Sequence, residues 1–364
     1  MKKPLMFRVL IIITLILAMG LSGCTPAGND TEKTKIAFIY VGPVGDGGWT
    51  YAHNLGRLAL EEEVPNLEVT ILESIPENPV DVEKVLTDLA EAGNKIIFAT
   101  SFGYMNSVIK IAEEYPDVKF LHCSGYLTAE NVGTYFGRMY QARYLSGIVA
   151  GKMTSNNVIG YVAAFPIPEV VRGINAFTLG VRSVNPNAVV KVVWTNTWYD
   201  PVTEKDAAVS LLEAGGADVI AQHQDTPFPQ QAAQEKGAYS VGYNTDMRQF
   251  APDAVLTSPV WHWEKYYIPT VKAILDGTWE SNQYWGHISE GIVDLSPYGS
   301  MVPQDVIDLV NTEKQALIDG DYDVFTGPIK DQSGTIRVPA GTTMSDADML
   351  GFNWFVEGVI GTIQ

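Results

Sequence analysis

The stretch KIAFIYVGPVGDGGWTYAHNLG, residues 35–56, joins an apolar strand to a helix through a turn rich in glycine. Glycines are common in such turns because the backbone there bends tightly or passes close to a ligand. This turn also carries a large indole, Trp49, at the mouth of the helix. Three explanations are open at this point: the turn is a phosphate loop, the indole is there by accident of packing, or it forms one wall of a pocket.

The same alternation of strand and helix continues along the chain in two sets of similar spacing. The predicted strands cover residues 35–40, 67–74, 95–101, 118–125 and 132–137 in the first set, and 158–165, 188–196, 218–223, 238–243 and 255–260 in the second. Helical patterns lie between them, and several of these end on glycine, a usual helix stop. The alternation predicts α/β architecture with parallel sheets, and the two similar sets predict two similar lobes.

Each predicted lobe is assembled from two parts of the chain. The N-terminal lobe covers residues 35–154 and about 261–282, and the C-terminal lobe covers 155–260 and about 283–345, with a C-terminal segment at 346–364. We expect the tail to cap the lobes and to cross the hinge between them. The helix pattern MYQARYLSGIVAGKM, residues 139–153, lies near the boundary of the two lobes.

The first 23 residues have the pattern of a signal peptide, with basic residues, then an apolar run, then Leu21-Ser22-Gly23-Cys24. This end resembles a bacterial lipobox, in which Cys24 becomes the lipid-bearing N-terminus, and two acyl chains hold a protein stably on a bilayer. Residues 24–34 would then be a lipid-anchored tether. The alternative is an uncleaved membrane anchor, for which the apolar run is short. We therefore expect a protein on the extracytoplasmic face of the cell membrane.

Charge and motif content exclude several classes of partner and chemistry. The formal net charge of −18 argues against nucleic acid or anionic lipid as a partner. The segment GDGGWT lacks the third glycine of a dinucleotide site, and its aspartate would repel a pyrophosphate. The five histidines are dispersed, and Cys123 is the only cysteine besides Cys24, so we expect no metal site and no cofactor. Cys123 itself is expected to be a buried small hydrophobe.

Aromatic and acidic residues recur directly after the predicted strands, where open parallel sheets bind their ligands. Trp49 and Trp198 follow corresponding strands of the two lobes and could hold a flat heterocycle between their faces, a gain of about 1–3 kcal/mol per stacked base. Trp198 could instead pack in the core. Asp225 and Asp246 are candidate acceptors for ring or amine N–H groups, although each could instead cap the helix that follows it.

From about Lys35 to its end, the chain resembles the basic membrane lipoprotein family, which are substrate-binding lipoproteins of ABC importers related to the purine nucleoside receptor of spirochaetes. The resemblance rests on four blocks: DGGW at 46–49, SFGY at 101–104, GRMYQARYLSGIVAGKM at 137–153, and the pair IPEVVRGINAFTLGV and VVWTNTWYDPVTEKDAA at 167–181 and 192–208. It implies the type I periplasmic-binding-protein fold, two Rossmann-like lobes with parallel sheets joined by hinge crossovers. It also implies ABC permease subunits as partners.

The resemblance implies roles for individual residues. Nucleoside receptors of the family stack the base between two aromatic residues at positions that match Trp49 and Trp198. Their carboxylates near the base match Asp46 and Asp246. They also carry a ribose-holding lysine after a Leu-Thr-Ser strand, where this chain has Trp261. An indole cannot supply the three donors of an ammonium group and would fill the space of a sugar, so we favour a bare purine base over a nucleoside.

Within the family, the chain resembles most the branch associated with free adenine. We therefore predict a lipid-anchored, non-enzymatic receptor that captures a purine base, with adenine as the favoured base, and delivers it to an ABC importer. Trp49 and Trp198 should stack the ring, and Phe102, Phe165 and Trp261 should close the pocket. The predicted acidic contacts are Asp46, Asp225 and Asp246. Four alternatives stay open: a nucleoside receptor of the same transporter class, a nucleoside hydrolase using the same cleft, a purine sensor that signals to a partner other than a permease, and a sugar-binding protein.

Overall fold

The computed structural model describes residues 33–363, and their strands form two six-stranded sheets and two small two-stranded sheets. In chain order the elements are β1 Thr34–Ile39, α1 Trp49–Glu63, β2 Leu67–Leu72, α2 Pro79–Glu91, β3 Ile96–Ala99, α3 Met105–Glu114, β4 Lys119–Cys123, β5 Val132–Gly137, α4 Met139–Met153, β6 Val158–Ala163, α5 Pro168–Val184, β7 Val189–Trp194, α6 Pro201–Glu213, β8 Val219–His223, α7 Phe228–Glu235, β9 Tyr239–Val241 and β10 Val255–Thr257. They continue with β11 Pro259–Trp261, α8 Glu264–Leu275, β12 Gln283–Gly286, β13 Val293–Leu295, α9 Gln304–Asp319, β14 Ile329–Lys330, β15 Ile336–Val338, α10 Asp346–Leu350 and β16 Val359–Ile360.

Each large sheet is wholly parallel and forms the centre of one lobe. The strand order is β12-β5-β4-β3-β1-β2 in the first sheet and β10-β9-β8-β6-β7-β16 in the second. The central strands read as continuous apolar runs because helices cover both of their faces, and Ile36 to Ile39 of β1 are fully buried. The predicted α/β fold with two parallel-sheet lobes is confirmed.

The ten predicted strands correspond to β1 through β10, with ends that differ by a few residues. The lobe boundaries differ more. Helix α4, assigned by the sequence to the first lobe, packs along α5 of the second lobe. Strand β12, assigned to the second lobe, pairs with β5 and so extends the first sheet. The C-terminal segment returns to the second sheet, where β16 pairs with β7.

Two glycines explain how closely α4 and α5 pack. A Cβ atom on Gly147 would lie 2.1 Å from the carbonyl oxygen of Phe177, and one on Gly180 would lie 2.0 Å from that of Tyr144. The two helix backbones therefore touch directly, which a larger residue at either position would prevent. This contact fixes α4 against the second lobe.

The predicted signal peptide, Cys24 and most of the tether lie outside the described residues. Cys123 is a free, fully buried cysteine, as expected. Within residues 33–363, we find no helix of the length and apolar character that a membrane crossing requires.

Candidate functional site

A cavity lies between the carboxyl ends of the two sheets, and about 320 Å³ of space not filled by protein atoms, part of it open to solvent, lies within and in front of it. Residues of both lobes line it: Val41, Trp49, Ser101, Phe102 and Ser124 from the first, and Glu169, Trp198, His223, Asp225 and Tyr243 from the second. Most of them directly follow a strand or begin a helix, which is where parallel sheets present side chains to a ligand.

The glycine-rich turn at 45–48 lets the two lobes meet. A Cβ atom on Gly48 would lie 2.4 Å from the carbonyl oxygen of Asp225 in the other lobe. Beside it, the Thr245 hydroxyl donates a hydrogen bond to the carbonyl oxygen of Gly47, at 2.6 Å. The glycines of this turn therefore allow the backbones of the two lobes to approach closely. The lobes are in contact at this point.

Trp49 begins α1 and is held in place on several sides. Its Nε1–H donates to the carbonyl oxygen of Thr100 at 2.8 Å, beyond the end of β3. The rings of His53 and Trp261 pack edge-to-face with it, with centroid distances of 4.5 and 5.9 Å. The indole is therefore a fixed wall of the cavity.

Trp198 lies on the opposite lobe and is held across the cleft. Its Nε1–H donates to Oε2 of Glu77, which belongs to the loop before α2 of the first lobe, at 2.9 Å. The Phe165 ring packs edge-on against it, with a centroid distance of 5.1 Å. The indole is thus fixed by one neighbour in each lobe.

Asp225 is the carboxyl group of the cavity that lacks a protein partner. Its side chain is 4% exposed, and no donor within residues 33–363 makes a hydrogen bond to its carboxyl oxygens. Burial raises the pKa of Asp225 well above its ordinary value, and the nearby charge of Asp46 raises it further. The helix that follows, α7, has Pro227 as its N-cap, so Asp225 does not cap it. A buried carboxyl group in this state favours its neutral form unless a ligand supplies donors.

A family model for PnrA-like ABC transporter substrate-binding proteins matches residues 33–321. The chain belongs to this PnrA-like family. It is 45% identical over 334 residues to the "Purine-binding protein BAB2_0673" of Brucella abortus, an alignment that covers 92% of this chain and 95% of that protein. It is 43% identical over 299 residues to the "Putative ABC transporter glucose-binding protein TsgA13" of Haloferax volcanii, covering 82% and 76%.

The fold agrees with that of solved ABC solute-binding proteins. An ABC transporter solute-binding protein of Aeropyrum pernix K1 superposes with a TM-score of 0.70 at 20% identity, covering 86% of this chain and 95% of that one. Proteins of the PnrA-like family bind transport substrates outside the cytoplasm, hand them to permease subunits and are not enzymes. Among the residues that the structure describes, no three His, Cys, Asp or Glu side chains lie where they could hold a metal ion.

In this PnrA-like protein, Asp46 and Asp246, two of the predicted ligand-binding carboxylates, make hydrogen bonds to nearby protein groups and lie outside the cavity lining. Asp46 accepts the backbone N–H groups of Gly48, Thr50 and Tyr51 at 2.8 to 3.0 Å, so it caps the start of α1 and is not part of the cavity lining. Burial raises the pKa of Asp46 to about 6, although these hydrogen bonds oppose the shift. Asp246 accepts the backbone N–H of Arg248 and pairs with its guanidinium group at 2.6 Å, away from the cavity.

Two aromatic residues predicted to close the pocket are not among the residues that line the cavity. Trp261 stacks on Trp263 with a centroid distance of 4.3 Å, and its Nε1–H donates to Oδ1 of Asn244 at 3.0 Å. Its ring packs edge-to-face with that of Trp49, and the Phe165 ring packs in the same way with that of Trp198. The four remaining predicted residues, which are Trp49, Phe102, Trp198 and Asp225, line the cavity together, and their contact with a ligand stays a prediction.

Sequence reasoning missed a polar cluster on the second lobe. Glu169, in the first turn of α5, accepts the Ser124 hydroxyl of the first lobe at 2.5 Å and lies 3.4 Å from Nε2 of His223. Burial alone would raise the pKa of Glu169, but His223, Ser124 and Arg172 hold it below its ordinary value. Burial lowers the pKa of His223 to about 4. At neutral pH the cluster therefore holds an ionised carboxylate and a neutral imidazole.

Proposed function

We propose that this protein captures a purine base, adenine, between Trp49 and Trp198 and delivers it to an ABC permease. The single observation that carries the proposal is that two fixed indoles from opposite lobes line one cavity together with a buried carboxyl group that has no hydrogen-bonding partner within residues 33–363. Aromatic faces bind flat heterocycles through stacking, and a purine presents both donors and acceptors at its edges. The 45% identity to a purine-binding protein supports the same substrate class.

The state of Asp225 favours adenine over guanine. A neutral carboxyl group offers one O–H donor and one C=O acceptor, which match the ring nitrogen N1 and the N6 amine of adenine. An ionised carboxylate offers acceptors only and would match the N1–H and N2 amine of guanine. Burial and Asp46 both raise the pKa of Asp225, so its surroundings shift the group toward the neutral form, which is the form that matches adenine.

The cavity lining also favours a bare base over a nucleoside. Its residues include no lysine or arginine that could hold ribose hydroxyls within the described part of the chain. Trp261 stands after the Leu-Thr-Ser strand, where the related nucleoside receptors carry a lysine, so this position supplies no ammonium group. The Trp261 ring instead stacks on that of Trp263. A ribose would therefore find no cationic donor for its hydroxyl groups in this lining.

Isothermal titration calorimetry with adenine, guanine, hypoxanthine, adenosine and glucose tests the substrate. We expect adenine to bind most tightly and adenosine to bind at least about tenfold more weakly, a difference of about 1.4 kcal/mol. Glucose is included because TsgA13 carries a glucose-binding name. Tighter binding of adenosine than of adenine would refute the exclusion of sugar, and binding of glucose alone would refute the purine proposal.

Membrane attachment through Cys24 is part of the same proposal and rests on the lipobox pattern at residues 21–24. Cells grown with labelled palmitate should incorporate the label into the wild-type protein and fail to do so with Cys24→Ser. Cys123→Ser is the matched control, since this second cysteine is buried and should not change the labelling. Equal labelling of the Cys24→Ser protein would contradict the anchor.

A further inference from the structure

A second, smaller cavity lies behind the first and shares Glu169, His223 and Tyr243 with it. Its other walls come from β5, from α4, which contributes Arg143, and from α5, which contributes Gly173. The shared residues separate the proposed base site from helix α4. What the second cavity holds therefore affects three residues that face the ligand.

Arg143 is fully buried in this cavity wall, yet it has unused hydrogen-bond donors. One of its terminal nitrogens donates to the carbonyl oxygen of Gln222, and its guanidinium lies over the Tyr243 ring at 3.6 Å. Its Nε and its second terminal nitrogen find no partner among residues 33–363. A buried donor left without a partner costs about 1–3 kcal/mol, so such groups are usually satisfied by a buried water or another guest.

Gly173 marks the place where such a guest fits. A Cβ atom built on Gly173 would lie 3.5 Å from Nδ1 of His223, 3.7 Å from Nε of Arg143 and 3.9 Å from the Tyr161 hydroxyl. All three of these atoms are buried and lack a partner in the described chain. An oxygen atom seated slightly farther from the helix along the same direction comes within hydrogen-bonding reach of all three. The missing side chain of Gly173 thus leaves a cradle with convergent polar walls.

The chemistry of these three atoms selects a guest that both accepts and donates. Nε2 of His223 faces the ionised Glu169, so the ring proton belongs on Nε2, and Nδ1 presents a lone pair. Nε of Arg143 can only donate, and the Tyr161 hydroxyl can do either. A water molecule accepts from Arg143 and donates to His223, whereas a halide ion cannot donate to Nδ1. Buried waters typically make about three hydrogen bonds of this kind.

We propose that one water molecule occupies the cradle at Gly173 and links Arg143 of α4 to His223 of the ligand cavity. The link continues from His223 to Glu169 and from Glu169 to Ser124 on the opposite lobe. It therefore fixes the imidazole tautomer and ties helix α4 to one of the contacts that close the cleft. The inference does not depend on which ligand the cavity binds.

Two variants at one position test the water. Gly173→Ala fills the cradle without a steric clash, since the nearest atom would be 3.5 Å away. If no water occupies the cradle, replacing glycine by alanine inside helix α5 should raise the melting temperature of the unliganded protein by about 1–2 °C, because alanine has the higher helix propensity. If it displaces the water, we expect a fall of roughly 2 °C or more. Gly173→Ser supplies a hydroxyl that accepts and donates in place of the water, and it should restore the melting temperature to within about 1 °C of wild type.

The state of His223 in the wild-type protein gives a second, independent readout. ¹⁵N NMR should show a neutral ring with its proton on Nε2 and a hydrogen-bonded Nδ1, and chloride or bromide should not shift these signals. Gly173→Ala should shift the Nδ1 signal toward that of a nitrogen without a partner, and Gly173→Ser should not. A higher melting temperature for Gly173→Ala, or His223 signals that respond to halide, would overturn the proposal. Neither readout uses a purine, so failure here is distinct from failure of the substrate proposal.

Discussion

Asp225 gives the sharpest test of how the cavity distinguishes between purines. Its carboxyl group is buried, faces the cavity and has no hydrogen-bonding partner in the described chain, and burial raises its pKa. Asp225→Asn replaces a neutral carboxyl group by an amide of the same shape, which still offers one donor and one acceptor. Asp225→Ala removes both groups. The pair of variants therefore separates a neutral carboxyl group from an ionised one.

The magnitudes follow from the number of hydrogen bonds at stake. Two hydrogen bonds to adenine at about 0.5–1.5 kcal/mol each contribute about 1–3 kcal/mol, so Asp225→Ala should weaken adenine binding roughly 5- to 150-fold. Asp225→Asn should stay within about threefold of wild type, since both hydrogen bonds are kept. Guanine requires the ionised form, so its weak binding should weaken further in both variants.

Calorimetry at several pH values completes the test. Adenine affinity should be constant below the raised pKa of Asp225 and should fall about tenfold per pH unit above it, because the neutral form that binds adenine is lost there. Asp225→Asn should remove this dependence. Asp246→Asn is the matched control, since that carboxylate pairs with Arg248 away from the cavity and should leave adenine affinity unchanged.

Two results would refute this reasoning. If Asp225→Asn loses adenine as completely as Asp225→Ala does, the wild-type group binds as an ionised acceptor and the assignment of the neutral form is wrong. If Asp225→Ala binds adenine as tightly as wild type, the carboxyl group does not contact the ligand at all.

Three further predictions concern the clamp and its surroundings. Trp198→Ala should weaken adenine binding by about 1–3 kcal/mol in calorimetry, the contribution of one stacked face, and an unchanged dissociation constant would exclude stacking on this ring. Glu77→Ala removes the acceptor that Trp198 reaches across the cleft, so we expect binding to weaken roughly 5- to 150-fold, while Glu83→Ala, whose carboxylate pairs with the exposed Lys110, should have little effect. Lowering the pH from 7 to 5 should stabilise the unliganded protein in denaturant titrations, because the folded pKa of Asp46 is about 6, above its ordinary value, and the folded state binds the proton more tightly across that window. Between pH 7 and pH 5 the gain from this group is about 1.4 kcal/mol, because the pH falls about one unit below the folded pKa, and no gain on acidification would contradict the assignment.

The sequence identified correctly those features that depend on periodicity and on chain order. Apolar runs separated by helical patterns defined the strands of both sheets, because a parallel sheet buried on both faces has no polar alternation to obscure it. Ligands bind beyond the carboxyl ends of strands, and this rule selected residues in separate turns of the sequence. Four of the residues selected in this way line one cavity: Trp49, Phe102, Trp198 and Asp225. Each of these expectations needed only local sequence and a general property of the fold.

The predicted site residues that lie outside the cavity lining are those whose side chains have other partners nearby. Asp46 and Asp246 both follow strand ends, but each found backbone or guanidinium donors within five residues and turned toward them. Trp261 is the last residue of β11, and its ring stacks on that of Trp263, two residues on. The pairing of β12 with β5 joins segments about 150 residues apart, which no local pattern encodes.

His223 and Glu169, which the sequence did not identify as site residues, show that residue type and position along the chain are not enough to select a site. His223 ends β8, and Glu169 begins α5 a few residues after β6 ends, so the strand-end rule includes both. A histidine in an apolar strand and a glutamate in a first helical turn are ordinary in core and capping roles, so their types alone gave no reason to select them. Only the closed arrangement of the lobes, which brings Ser124 onto Glu169, makes them one cluster.

Ligand binding and lobe closure depend on the same few groups. Trp198 belongs to the second lobe, but the acceptor for its indole N–H, Glu77, belongs to the first, and that carboxylate also accepts the Ser101 hydroxyl and the backbone N–H of Gly103 beside the cavity. When the lobes separate, the indole loses this partner and the orientation that it enforces. If the ligand stacks on Trp198 as proposed, it would favour the closed form, and closure would hold the ring against the ligand. A permease that recognises the closed surface would then respond to the loaded protein without contacting the purine.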